Sequence, residues 1–143
     1  MSDDTASMSI DEIFERARKV LIELPFAKLM GMRLVDMKLD EATIELGMRD
    51  DLRQPSGILH GGATATLIDT AMAFAVRTRV DPEVATATID LTVHYLRPHV
   101  EGPILCTAKV VRAGRRIFSV SADVTSEVNG KLIATGLSTY TIV

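Results

Sequence analysis

Ile13, Phe14, Ala17, Val20, Leu21 and Leu24 recur at three- and four-residue intervals, which lays one apolar stripe along a helix. Ser9 opens that helix. Its hydroxyl and the carboxylate of Glu12, three residues on, form a capping box in which each meets an orphan backbone N–H. Pro25 is expected to stop the helix. Residues 1–8 are polar and are expected to form a flexible N-terminus.

After Gly31 the period changes to two. Val35, Met37 and Leu39 alternate with Asp36 and Lys38. Past a turn at Asp40-Glu41, Ile44, Leu46 and Met48 alternate with Thr43 and Glu45, so two short strands are predicted. Asp50 to Gly57 is a polar loop punctuated by Pro55 and Gly57. Gly61 to about Arg79 is rich in alanine, leucine and methionine and predicts a helix about 28 Å long. The loop Val80-Asp81-Pro82-Glu83 ends it. Alternation then returns. Ile89, Leu91, Val93 and Tyr95 share one strand face, and Phe118, Val120, Ala122 and Val124 share another. Asn129-Gly130 is a strong hairpin signal. Strands joined by short turns pair antiparallel. The predicted class is α+β, one antiparallel sheet packed on one long helix, with residues 9–143 as a single domain free of repeats and linkers.

Composition narrows the function. The chain has 143 residues, 47% of them apolar and 24% charged, which fits a globular protein rather than a disordered one. Its formal net charge of −3 and lack of a basic stripe argue against a nucleic-acid partner. No apolar run approaches the roughly 18 residues of a membrane span, and the acidic N-terminus does not read as a secretory signal. The single cysteine, Cys106, has no disulfide partner within the chain, so a reducing compartment, the cytoplasm, is expected.

Asp69 is the one charged residue between Gly61 and Val76, in a helix expected to be buried nearly all round. A carboxylate there needs partners or a task. Either it reaches solvent through a gap or is tied by Thr66 or Thr70, or it does chemistry. His60-Gly61-Gly62 precede the helix. Glycines let a ligand approach the backbone, and first-turn N–H groups point outward along the positive end of the helix dipole. That suits a developing oxyanion, although glycine pairs also serve tight helix–sheet packing. Gln54 adds an amide donor.

The run Gln54-Pro55-Ser56-Gly57-Ile58-Leu59-His60-Gly61-Gly62, followed by Leu67-Ile68-Asp69, resembles the hotdog-fold acyl-CoA thioesterases. The nearest branch is the PaaI-like one, named for phenylacetic acid degradation, with the hydroxybenzoyl-CoA thioesterases as relatives. The family pattern is Asn or Gln, His-Gly-Gly six residues later, and Asp or Glu nine residues after the His. Gln54, His60 and Asp69 have that spacing. Ile89 to Pro98 is also similar to the family's next strand. The resemblance implies an antiparallel sheet wrapped around a long central helix, and a homodimer that often pairs again into a tetramer. It implies hydrolysis of an acyl-CoA to a free acid and coenzyme A, with no cofactor. Asp69 would be nucleophile or general base, the Gly61 N–H would polarise the carbonyl with Gln54 assisting, His60 would shape that end, and Thr88 would sit near the attacking water. The active site would be shared, with Asp69 acting beside Gly61 of the other subunit. Gln54 stands where this branch often has Asn, and Ala73 lacks a hydroxyl that some relatives carry there.

Arg97, Arg112, Arg115, Arg116 and Lys131 are candidates for the phosphates of coenzyme A, since guanidinium forks match phosphate oxygens; taken singly, each also reads as a solvated rim charge. His94 and His99 with His60 make a poor metal site, and no metal is expected. Met30, Met32, Met37 and Met72 read as core filler. Two other functions stay open for the same fold: a hydratase or dehydratase acting on an acyl thioester, and a non-catalytic acyl-CoA-binding protein.

Overall fold

In the computed structural model, which describes residues 8–143, the chain forms α1 (Ile10–Glu23), α2 (Pro25–Met30), β1 (Met32–Lys38) and β2 (Glu41–Leu46). A 3-10 turn (Asp50–Leu52) leads to α3 (Gly61–Arg77), then β3 (Thr86–Tyr95), β4 (Ile104–Ala113), β5 (Ile117–Ser126) and β6 (Leu132–Ile142). The six strands make one sheet in the order β1-β2-β4-β5-β6-β3, antiparallel at every pairing. The sheet curves around α3, which packs against β2, β4, β5, β6 and β3. This is the hotdog arrangement of the α+β class. Among the described residues no helix is long and apolar enough to cross a membrane.

The capping box at Ser9 forms, with both reciprocal bonds present. Of the predicted stripe, Ala17 and Leu21 are buried and Ile13 and Phe14 half-buried against the core, but Val20 and Leu24 are exposed. Pro25 does more than stop α1. Leu24 caps both helices and Pro25 opens α2 at its first position, where a missing N–H is harmless. Residues 1–7 of the predicted flexible N-terminus lie outside the described residues.

Two predicted strand faces are corrected by β-bulges, where one extra residue shifts the alternation. In β1 the register slips between Leu34 and Asp36. Met32, Leu34 and Met37 are therefore buried, while Val35 and Leu39 are exposed. In β3 it slips between Thr88 and Asp90, and Ile89 turns outward. Phe118, Val120, Ala122 and Val124 are all buried, as predicted. β2 ends at Leu46, short of Met48. Met32, Met37 and Met72 are core residues, and Met30 is half-buried against the core.

α3 ends at Arg77, two residues before the predicted end. The Thr78 hydroxyl donates to the Ala75 carbonyl at 2.7 Å, and the Arg77 guanidinium holds the carbonyls of Asp81, Pro82 and Val84. The helix is not buried all round. Gly62 is exposed, and Thr66, Asp69, Thr70, Ala73 and Arg77 are half-buried along the same face.

Candidate active site

The first turn of α3 is held by two aromatic side chains. His60 is its N-cap, and its Nδ1 accepts the Gly62 N–H at 2.8 Å. An accepting Nδ1 leaves the ring proton on Nε2. The Tyr95 hydroxyl donates to the Gly61 carbonyl at 2.6 Å. The Gly61–Gly62 peptide is thus fixed at both its N–H and its C=O. The preceding N–H, that of Gly61, has no hydrogen-bond partner among the described residues. A Cβ on Gly61 would lie 3.2 Å from the Tyr95 ring, and one on Gly62 would lie 2.9 Å from His60 Nδ1. The glycine pair therefore makes room for these two side chains. Gln54 Oε1 accepts the Ser56 N–H, which leaves its NH2 to donate elsewhere. Gln54, Gly61, Gly62, Tyr95 and Arg97 line a cavity of about 490 Å³.

Asp69 lies two turns further along α3. Its Oδ1 accepts the Thr88 hydroxyl at 2.8 Å and lies 2.6 Å from the Tyr140 hydroxyl. That hydroxyl is also 2.6 Å from the Asp69 backbone carbonyl. Thr66 and Thr70 do not tie the carboxylate, because the Thr70 hydroxyl is taken by the Thr66 carbonyl at 2.8 Å. Thr88 reaches Asp69 because of the bulge at Ile89. Leu91 and Val93 face the helix, and the extra residue puts Thr88 rather than Ile89 on that same face. Thr88 and Tyr140 are cross-strand partners, so β6 delivers both hydroxyls to one oxygen.

Tyr140 is buried, and burial together with the neighbouring carboxylate raises its phenol well above the ordinary value of 10.0. It is a hydrogen-bond donor at every working pH. Tyr95 and Tyr140 are the two contacts to the candidate residues that sequence reasoning missed. The available signal was that they are the chain's two tyrosines, each on a strand face turned to α3.

The other candidate residues divide between two places. Arg97 borders the cavity and donates to the Leu132 carbonyl at 3.1 Å. Arg112, Arg115 and Arg116 are exposed around the β4–β5 turn, with Arg116 donating to the Ile142 carbonyl at 3.2 Å. Arg97 follows the Tyr95–Ala134 pair and Arg116 precedes the Ile117–Thr141 pair. The span from 134 to 141 along β6 is about 23 Å, so the four arginines do not form one cluster within a chain. Lys131 is exposed at the β5–β6 turn, which Asn129-Gly130 build as expected. His99 is buried with its Nε2 2.7 Å from the Gly102 carbonyl, and His94 is exposed on β3. Among the described residues no group of three metal-ligating side chains comes together.

Residues 56–133 match the thioesterase superfamily. That stretch contains His60, Gly61, Asp69, Thr88 and Tyr95; Gln54 and Tyr140 fall outside it. Acyl-coenzyme A thioesterase 13 of Homo sapiens is 33% identical over 118 residues, covering 80% of this chain and 82% of its own. The crystal structure of zebra fish thioesterase superfamily member 2 is similar with a TM-score of 0.80 at 26% identity, covering 96% of this chain and 100% of that one. The PaaI protein of the E. coli phenylacetic acid degradation operon has a TM-score of 0.85 at 20% identity, covering 94% and 96%, a likeness of fold.

Proposed function

The chain belongs to the thioesterase superfamily and is a thioester hydrolase; from that premise we propose that its substrate is an aryl- or medium-chain acyl-coenzyme A and that Asp69 carries the reaction. One observation supports the role of Asp69 above the rest. The only charged side chain in the body of α3 is held by two neutral hydroxyls and, among the described residues, pairs with no cation.

Two routes use that charge. As general base, the carboxylate takes a proton while water oxygen bonds to the thioester carbon and the carbonyl π pair moves onto oxygen. Collapse then expels the thiolate, which recovers the proton from the carboxyl group. As nucleophile, the carboxylate oxygen bonds to that carbon, the thiolate leaves, and water cleaves the resulting mixed anhydride. Both routes need donors at the carbonyl oxygen, and the Gly61 N–H and the Gln54 amide are suited to it.

These donors and Asp69 cannot meet within one chain. Eight residues of helix separate Gly61 from Asp69, about 12 Å at 1.5 Å per residue. Reacting atoms must approach to about 3–3.5 Å. We therefore assign the site to two subunits of a homodimer, Asp69 and Thr88 from one and Gln54, His60 and Gly61 from its partner, with dimers pairing further into tetramers. β3, which supplies Thr88, is an edge strand that a second copy can reach. Arg97 beside the cavity and Arg112, Arg115 and Arg116 beyond the Asp69 end are the cations available to the phosphates of coenzyme A. A cytoplasmic location fits the buried, unpaired Cys106.

The test is thiol release from a panel of aryl- and alkyl-CoA esters by wild type and Asp69→Asn. The variant is expected to lose about 100-fold or more in kcat while staying folded. A folded variant with wild-type turnover refutes the role of Asp69.

A further inference from the structure

We infer that Tyr140 is a positioning residue for the reaction: together with Thr88 it ties Asp69 Oδ1, which leaves Oδ2 as the oxygen that attacks or takes the proton. The inference rests on the reading of Asp69 as the reacting group and says which of its two oxygens reacts and what fixes the choice.

A carboxylate oxygen has two lone pairs for strong hydrogen bonds. Oδ1 meets two hydroxyls, Thr88 at 2.8 Å and Tyr140 at 2.6 Å. Oδ2 receives no hydrogen bond among the described residues. The two oxygens are thus chemically distinct before substrate arrives, one saturated and one available. A carboxylate held at one oxygen also loses its freedom to rotate, so Oδ2 is aimed rather than sampled.

The phenol's position is not adjustable. Tyr140 is 2% exposed and sits between Phe118 and Thr88 in the sheet. Its hydroxyl lies 2.6 Å from the Asp69 backbone carbonyl as well as from Oδ1. One phenolic proton serves one acceptor at a time. A tyrosine that only needed its hydroxyl satisfied could do so with the backbone oxygen alone. Contact with Oδ1 as well means the proton can follow the charge, resting on the backbone oxygen when the carboxyl is protonated and on Oδ1 when it is ionised. Burial keeps the phenol from ionising, so it remains a donor throughout.

Tyr140→Phe keeps the ring and removes the hydroxyl. It is expected to lower kcat by between about tenfold and a hundredfold with KM within about twofold of wild type. Thr88→Val, at an exposed position, is expected to lower kcat in the same way, and the double variant is expected to lose less than the product of the two. Asp69→Asn is measured alongside. If folded Asp69→Asn turns over normally, the reading beneath the inference fails. If Asp69→Asn is inactive but Tyr140→Phe keeps wild-type kcat, or loses only KM, the assignment of Tyr140 alone is overturned. A crystal structure of the wild type with a non-hydrolysable thioether analogue decides the matter even if Tyr140→Phe does not fold. Oδ2 is expected to be the oxygen nearer the carbon that stands for the carbonyl, and Oδ1 in that place overturns the inference.

Discussion

Cys106 and Tyr140 are both buried in the core, and they impose the same pH dependence. Burial pushes the Cys106 thiol far above its ordinary 9.0 and the Tyr140 phenol above 10.0. In the folded chain both stay protonated; in the unfolded chain both ionise at their ordinary values. Their contribution to stability is therefore whole below pH 9 and is lost as pH rises through the alkaline range. Denaturation midpoints measured from pH 8 to 11 should fall, and Cys106→Ala should make the fall shallower. The site's residues were legible to unequal degrees. Gln54, His60, Gly61 and Asp69 sit within one short run whose spacing is itself the signal. Tyr95 and Tyr140 reach α3 from strands 34 and 71 residues away, and only the sheet's register brings them there.

Elements were legible wherever their period was unbroken. β5 alternates without interruption, and its predicted face is the buried one. β1 and β3 were misread because each holds a bulge. A bulge leaves the hydrophobic pattern looking regular on one side and shifts it on the other. The second of these errors coincides with the site, since the irregularity that turns Ile89 out is the one that turns Thr88 in. Helix and sheet approach closely where β6 passes over α3 at Gly136. A Cβ there would lie 2.8 Å from Ile68 Cγ2 and 3.3 Å from Met72 Cε. The Met72 tip can swing aside, but the Ile68 methyl is fixed to a branched Cβ in a helix. Gly136→Ala is therefore expected to destabilise the fold by about 1–3 kcal/mol, read as a lower denaturant midpoint at unchanged slope.

At the scale of the whole molecule the governing quantity is the length of α3 between Gly61 and Asp69. A helix cannot fold back on itself, so under the proposed dimer each chain would hold the two ends of two different sites and the whole of neither. The proposed arrangement makes damage to one end repairable from outside. Asp69→Asn removes the carboxylate. Gly61→Pro removes the N–H donor at a first helical position whose backbone suits proline, behind a His60 whose ψ of 132° is compatible with it; its Cβ would lie 3.2 Å from the ring of Tyr95, an exposed side chain that must give by a few tenths of an ångström. Each variant alone should be inactive. Unfolded together and refolded as an equal mixture, half the dimers are hybrids, and in each hybrid one site inherits both defects while the other inherits none. About a quarter of wild-type activity should then return from two dead proteins. Two genes carrying different lesions in this enzyme would complement each other inside one cell, and a single defective copy would impair its sound partner at only one of their two shared sites.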